Sequence, residues 1–305
     1  MTTHLILLSA FVASLLSCSA CGESTAKDNC DKSQCQTSGL IHLYAELNCQ
    51  PVYQDGACCP VRYDCSSYSS RNANKCHFEG QEYDIGKGVP TNKTSRSCLA
   101  ACICLGDDSR PTDFTCAQIE CAELFGIPLP HPSCIRQYSK DSCCSVATYC
   151  PTDKTEGEEE IFQCEYEGKK YIKGQRFYPT NECKTCTCDE GFDGSTNGPW
   201  CNEISCSIEL RSAHYLRQGC APVFYKSHCC PVQWRCPSND DSIIKGPNHK
   251  SQSNSTQERP DEHLTCTFGN IKLDLQDKLQ PGELDKVDCA CITPPYLSCA
   301  VKTDD

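Results

Sequence analysis

The chain has little of what a single large core requires. Of its 305 residues one is Met, two are Trp and nine are Phe, and residues 5–16, LILLSAFVASLL, form the only long apolar run. Twelve residues cannot span a bilayer but match a signal-peptide core. Residues 1–17 are therefore expected to be a signal peptide, with residue 20 as the latest alternative cut, and no later segment offers a membrane span. Basic runs are also missing. None exceeds Lys169-Lys170 and the formal net charge is -12, so no stripe tracks phosphates and nucleic acid is not expected as a partner. Nor is there a catalytic constellation. His77, His131, His214 and His228 do not recur at equivalent places, and Ser195 after Gly194 lacks a strand-turn-helix context. Neither an enzyme nor a cofactor is expected.

Cysteine is what the sequence has in abundance. The chain holds 32, the level of a disulfide scaffold. Such a framework stays paired outside the reducing cytosol, so the protein is expected to be secreted and extracellular. Several small units, each too poor in apolar area to fold unaided, would be held by links worth about 2–4 kcal/mol apiece.

The cysteines repeat. An adjacent pair followed by a third cysteine after five residues occurs at Cys58-Cys59 with Cys65, Cys143-Cys144 with Cys150, and Cys229-Cys230 with Cys236. Nine positions before each pair stand Cys49, Cys134 and Cys220, preceded by Cys35, Cys121 and Cys206, and by Cys30, Cys116 and Cys201. The second and third copies continue upstream into Cys98-LAA-Cys102-I-Cys104 and Cys183-KT-Cys186-T-Cys188, each after a lone cysteine, Cys76 or Cys164. The stretches following those lone cysteines, HFEGQEYDIGKGVPTN and EYEGKKYIKGQRFYPTN, read as turn, short strand, turn. AQIECAELF around Cys121 is the one brief helical signal.

This order, with CxxCxC early and Cys-Cys late, resembles the von Willebrand factor type C module. It departs from it in keeping five residues before the last cysteine and in a longer gap between the sixth and seventh. The resemblance implies a small, disulfide-rich, mostly β fold: tandem modules of two subdomains each, joined by flexible linkers. It places a truncated module at residues 18–65, complete modules at 76–150 and 164–236, a flexible linker at 237–265 and a half module at 266–299. The pairing it implies for the second module is Cys76–Cys104, Cys98–Cys143, Cys102–Cys116, Cys121–Cys144 and Cys134–Cys150. For the third it implies Cys164–Cys188, Cys183–Cys229, Cys186–Cys201, Cys206–Cys230 and Cys220–Cys236.

The partial copies fit the same scheme, because each lacks cysteines in bonded pairs. The first takes Cys18–Cys58, Cys21–Cys30, Cys35–Cys59 and Cys49–Cys65; the last takes Cys266–Cys291 and Cys289–Cys299. Cleavage after Ser19 or Ala20 would discard Cys18 and leave Cys58 unpaired, whereas cleavage after Ser17 keeps it. We expect Cys18 to survive; a mature amino terminus at Ala20 or Cys21 would contradict this.

Polar stretches at 66–75, 151–163 and 237–265 separate the modules and cannot bury enough surface to order themselves. Asn92 and Asn254 head acceptor sequons for N-glycosylation. Zinc ligation by CxxCxC would leave the late Cys-Cys pair unexplained, and the acidic loop 189–197 lacks the closing Glu of an EF-hand, so no metal is expected. Tyr171, Phe177, Tyr178 and Trp200 in the third module either cover the disulfides as a miniature core or form a partner-binding patch.

Modules of the resembled kind occur in chordin-like regulators and in matrix proteins. The resemblance therefore implies an extracellular binding protein, with a growth factor of the BMP/TGF-β type as first candidate ligand and avidity from linked modules. A structural extracellular-matrix role is the alternative. Protease inhibition is a third, with GIPLPHPS between Cys121 and Cys134 as its exposed loop.

Overall fold

A computed structural model describes residues 35, 39–107, 109–151, 162–180, 182–226, 228–247, 264–280 and 286–302. The signal peptide, Asn254, and the pairs Cys18–Cys58 and Cys21–Cys30 fall outside these residues, although Cys58 is itself disulfide-bonded. The described chain is mostly short β-strands with few helices.

Each repeat with an amino-terminal half begins in a hairpin. Cys76–Phe78 pairs with Gln81–Tyr83, Gln163–Tyr166 with Lys169–Ile172, and Thr265–Phe268 with Ile271–Asp274. The two-residue turns Glu79-Gly80 and Glu167-Gly168 both have positive φ, which matches the right-handed twist of the flanking strands and explains Gly at the second place. The CxxCxC segment then forms a sheet strand: Leu99–Asp107 beside Arg110–Gln118, Lys184–Thr187 beside Cys201–Glu203, and Val287–Ala290 beside Ser298–Val301.

The carboxy-terminal halves are smaller hairpins: Gln50–Val52 with Arg62–Asp64, Ile135–Gln137 with Ala147–Tyr149, and Ala221–Phe224 with Gln233–Arg235. Among the described residues, fourteen disulfides join these elements. Cys76–Cys104, Cys102–Cys116, Cys164–Cys188, Cys186–Cys201, Cys266–Cys291 and Cys289–Cys299 hold the amino-terminal halves. Cys35–Cys59, Cys49–Cys65, Cys121–Cys144, Cys134–Cys150, Cys206–Cys230 and Cys220–Cys236 hold the carboxy-terminal halves. Cys98–Cys143 and Cys183–Cys229 tie half to half.

The long gap between the sixth and seventh cysteines is where the sequence reading misses most. In the first repeat it holds an eight-residue helix, Gly39–Glu46, whose Leu40, Leu43 and Tyr44, with Leu47 just beyond, share one buried face. In the third it holds helices Ile208–Arg211 and Ala213–Arg217. In the second, where a helical signal was read, only a 3-10 turn Ala122–Phe125 forms, because Pro128, Pro130 and Pro132 cannot continue a helix.

These inserts bring the repeats together. Leu40, Leu43, Tyr44 and Leu47 share a core with Ile208, Leu216 and Phe224 of the third repeat. Leu210, on the same third-repeat segment, enters the core of the second repeat's amino-terminal half beside Phe78, Leu99 and Phe114. The exchange is reciprocal: the amino-terminal half of the third repeat meets the carboxy-terminal half of the second, through Tyr138 N–H to Gly174 O at 2.7 Å and Gln137 Nε2 to Lys173 O at 2.7 Å.

The last half repeat adds its strand Ser298–Val301 in parallel to Ala221–Phe224, with Val223 opposite Cys299 and Phe224 opposite Ala300. A six-stranded sheet results, in the order Gln233–Arg235, Ala221–Phe224, Ser298–Val301, Val287–Ala290, Lys278–Leu279, Ile243–Ile244. A Cβ at Gly219 would lie 2.9 Å from the amide of Gly269, so glycine lets these two backbones approach. Tyr44, fully buried, donates to Thr293 O at 2.7 Å and accepts from Tyr296 N–H at 2.9 Å.

Two stretches expected to be disordered linkers are therefore partly built in. Residues 66–75 hold a short helix, Ser66–Ser69, with Tyr68 packed on the first core and Arg71 paired with the buried Glu209. In 237–265, strand Ile243–Ile244 pairs with Lys278–Leu279, and Gly246 N–H donates to Asp277 Oδ1 at 2.8 Å. The described parts of both segments are held by the repeats they lie on.

Candidate functional site

The four aromatics read as a possible patch are divided by the fold. Phe177 is buried, its ring 4.4 Å from Tyr171, 5.2 Å from Tyr166 and 5.5 Å from Phe192, centroid to centroid. Trp200 is half-buried and Tyr178 is exposed. The cluster is a miniature core over the third repeat's disulfides, and Tyr178 alone presents a largely open ring.

Other polar sites are engaged internally. In the acidic loop Asp193 Oδ1 accepts from Ser195 N–H at 2.9 Å, while Lys173 Nζ lies 3.6 Å from Asp189 and 2.7 Å from Glu190. Two cysteine-containing clusters have metal-like spacing, Cys35/Cys58/Cys59 and His42/Glu46/Cys206, but their sulfurs are in disulfides. His42 Nε2 instead contacts Ile204 O at 2.6 Å. His214 Nδ1 lies 3.2 Å from Asp113 Oδ2 at the junction of second and third repeats. His77, His131 and His228 make local contacts with Asn72 O, Ser133 Oγ and Tyr225 O. Asn92 is exposed on the short helix Thr91–Thr94, whereas the hydroxyl residue of its sequon, Thr94, is buried.

The surface that stands out lies in the second repeat's insert. Its 3-10 turn and following loop place Leu124 at 71% exposure and Phe125 at 67%, with Ile127 also open. The same slot holds helices with buried apolar faces in the first and third repeats. Here the prolines hold the chain away from any such packing, so the apolar groups face solvent.

The loop is nevertheless anchored. Cys121–Cys144 and Cys134–Cys150 fix its two ends, and the Arg136 guanidinium donates to Ile127 O at 2.6 Å. Glu123, beside Leu124, accepts from Ser145 N–H at 2.8 Å and Ser145 Oγ at 3.2 Å, bringing the exposed Val146 stretch alongside. The Ser145 amide holds the Glu123 carboxyl below its ordinary range, so the tether is ionised at neutral pH. A rigid apolar display of this kind suits capture of a protein surface, since little side-chain or loop freedom is lost on contact.

The sequence singles out GIPLPHPS but not Leu124, Phe125 or Val146. The signal for the first two was available: apolar residues directly before a Pro-rich stretch, in the repeat where the insert cannot become a helix. No protein-family model matches the chain, and no solved structure matches it. Among the described residues no helix is long and apolar enough to cross a membrane.

Proposed function

We propose that the four repeats are von Willebrand type C modules of an extracellular binding protein that takes a protein ligand on the Leu124–Ile127 loop of its second module. The observation that carries this reading is the exposure of Leu124 and Phe125 on a loop clamped by two disulfides. Buried apolar and aromatic anchors dominate interface energetics. A growth factor of the BMP/TGF-β type remains the first candidate on the resemblance alone. Avidity between freely moving modules gains no support from repeats that pack against one another, so this reading assigns the contact to one loop.

Biolayer measurement of the purified secreted protein against a panel of BMP-family ligands tests it. Binding is expected, weakened at least tenfold by Leu124→Ser with Phe125→Ser. No binding at micromolar concentration, or equal binding by the double variant, would remove it. The same clamped, exposed loop also favours a second reading, as a protease-inhibitory loop; a panel of serine and cysteine proteases left uninhibited at micromolar concentration would exclude that. A structural matrix role is the third reading, and extraction from tissue only under denaturing and reducing conditions would favour it.

A further inference from the structure

The three carboxy-terminal hairpins carry an aromatic residue four positions after their seventh cysteine: Tyr53, Tyr138 and Phe224. The first and third are the more alike, Cys49-QPVY and Cys220-APVF. At two of these positions the outer strand edge is occupied within the chain by an amino-terminal half of the next repeat. Tyr138 N–H donates to the Gly174 carbonyl, and Phe224 is paired with Ala300. Phe224 is buried in the core shared with the first repeat's helix, and Tyr138 is half-buried.

In the first repeat the equivalent edge is open. Gln50 and Pro51 are exposed, Tyr53 is 48% exposed, and its amide has no backbone acceptor among the described residues. The partner strand is not the open side, because Tyr63 N–H already donates to Pro294 O at 2.8 Å.

The complementary element is open too. Gly174 sits in a turn whose amide donates to Cys188 O at 2.7 Å, and in the second repeat Gly86 makes the matching bond to Cys104 O at 2.8 Å. Gly174 is buried under the second repeat, whereas Gly86 is exposed, beside Ile85 at 51% exposure. No bond to the Gly86 carbonyl occurs among the described residues. The chain thus carries both halves of a junction that it has already built once, unjoined.

We propose that the Gln50–Tyr53 edge of one copy takes the Ile85–Gly86 turn of a second copy, repeating the Tyr138–Gly174 junction between molecules. Edge and turn are different surfaces: two junctions formed reciprocally close an isologous twofold dimer, whereas one junction per pair is heterologous and grows into a chain of copies. Neither surface includes the Leu124–Ile127 loop, so the junction is independent of the ligand-binding reading.

Sedimentation velocity on the full secreted chain, from about 1 to 100 µM, tests the proposal. Association is expected, and Tyr53→Asp and Ile85→Asp should each weaken it at least tenfold; both side chains are exposed, so the fold tolerates the change. Mixing the two variants should restore association through one intact junction. Tyr178→Asp, exposed elsewhere, should leave it unchanged. A monomer throughout the concentration range, association indifferent to both variants, or a mixture no more associated than its components would overturn the proposal.

Discussion

At the scale of single residues, the informative groups are the buried polar ones at the joints between repeats. Glu209, 5% exposed, is paired with Arg71 and accepts from Glu79 N–H at 2.8 Å, so it fastens the 66–75 segment and the second repeat to the third. Arg71→Ala leaves an uncompensated buried carboxylate and should cost about 3–5 kcal/mol. Denaturant unfolding with disulfides intact measures this, with Arg110→Ala, whose partner Asp107 is solvent-exposed, as a control that should leave the midpoint in place.

Glu46 joins the first repeat to the third: Oε1 accepts from Ser207 N–H at 2.6 Å and Ser205 Oγ at 3.1 Å, while Oε2 is buried with no hydrogen-bond partner. Burial raises its carboxyl above the ordinary 4.5, against the lowering effect of those hydrogen bonds. A raised folded-state pKa means the folded protein binds the proton more tightly than the unfolded one. This group's contribution is therefore full below 4.5 and declines as pH rises through the folded value. Glu46→Gln, neutral at every pH, should flatten that part of the stability profile in unfolding titrations between pH 4 and 8. An unchanged slope would contradict the assignment. Neither role was legible in the sequence, where Glu209 and Glu46 look like any surface carboxylate and their partners lie far along the chain.

At the scale of elements, the same sequence slot becomes three different structures. The slot between sixth and seventh cysteines is a helix where Leu40, Leu43, Tyr44 and Leu47 keep a helical period, and an open loop where three prolines interrupt it. The helix was missed because two turns are too short for a sustained pattern; its stability comes from the face it buries against the third repeat. Leu43→Ala should cost about 2–5 kcal/mol. Leu124→Ala, on the exposed counterpart, should change stability by no more than about 0.5 kcal/mol. Hydrogen exchange of residues 39–47 reads the first effect directly, as lost protection. The hairpins after Cys76 and Cys164, by contrast, were legible as turn, short strand, turn, since their glycines and tyrosines recur at similar offsets. So was the repeat of the cysteines, whose spacing recurs along the chain, but not their pairing, which only the resemblance to the type C module supplied. The aromatic set was only half legible: its place in the third module groups Phe177 with Tyr178, and burial separates them.

At the scale of the molecule, what sequence could not supply was how the repeats sit together. Separate cysteine frames with polar stretches between them read as beads on a string. The structure instead places the third repeat's carboxy-terminal half at the centre, where it receives the first repeat's helix, Leu210 contacts from the second, and a strand from the last. These contacts rest on side chains such as Tyr44 and Phe224 that no local pattern links.

The half repeat tests this account most directly, because both of its disulfides, Cys266–Cys291 and Cys289–Cys299, are internal and no other covalent link than the backbone ties it to the rest. A protease site introduced within residues 250–260 severs that backbone in the full-length protein. After cleavage without reductant, residues 264–302 should co-elute with the remainder in native size exclusion at micromolar concentration and separate from it only in denaturant. Elution as a free fragment under native conditions would contradict the shared sheet and the buried Tyr44 contact.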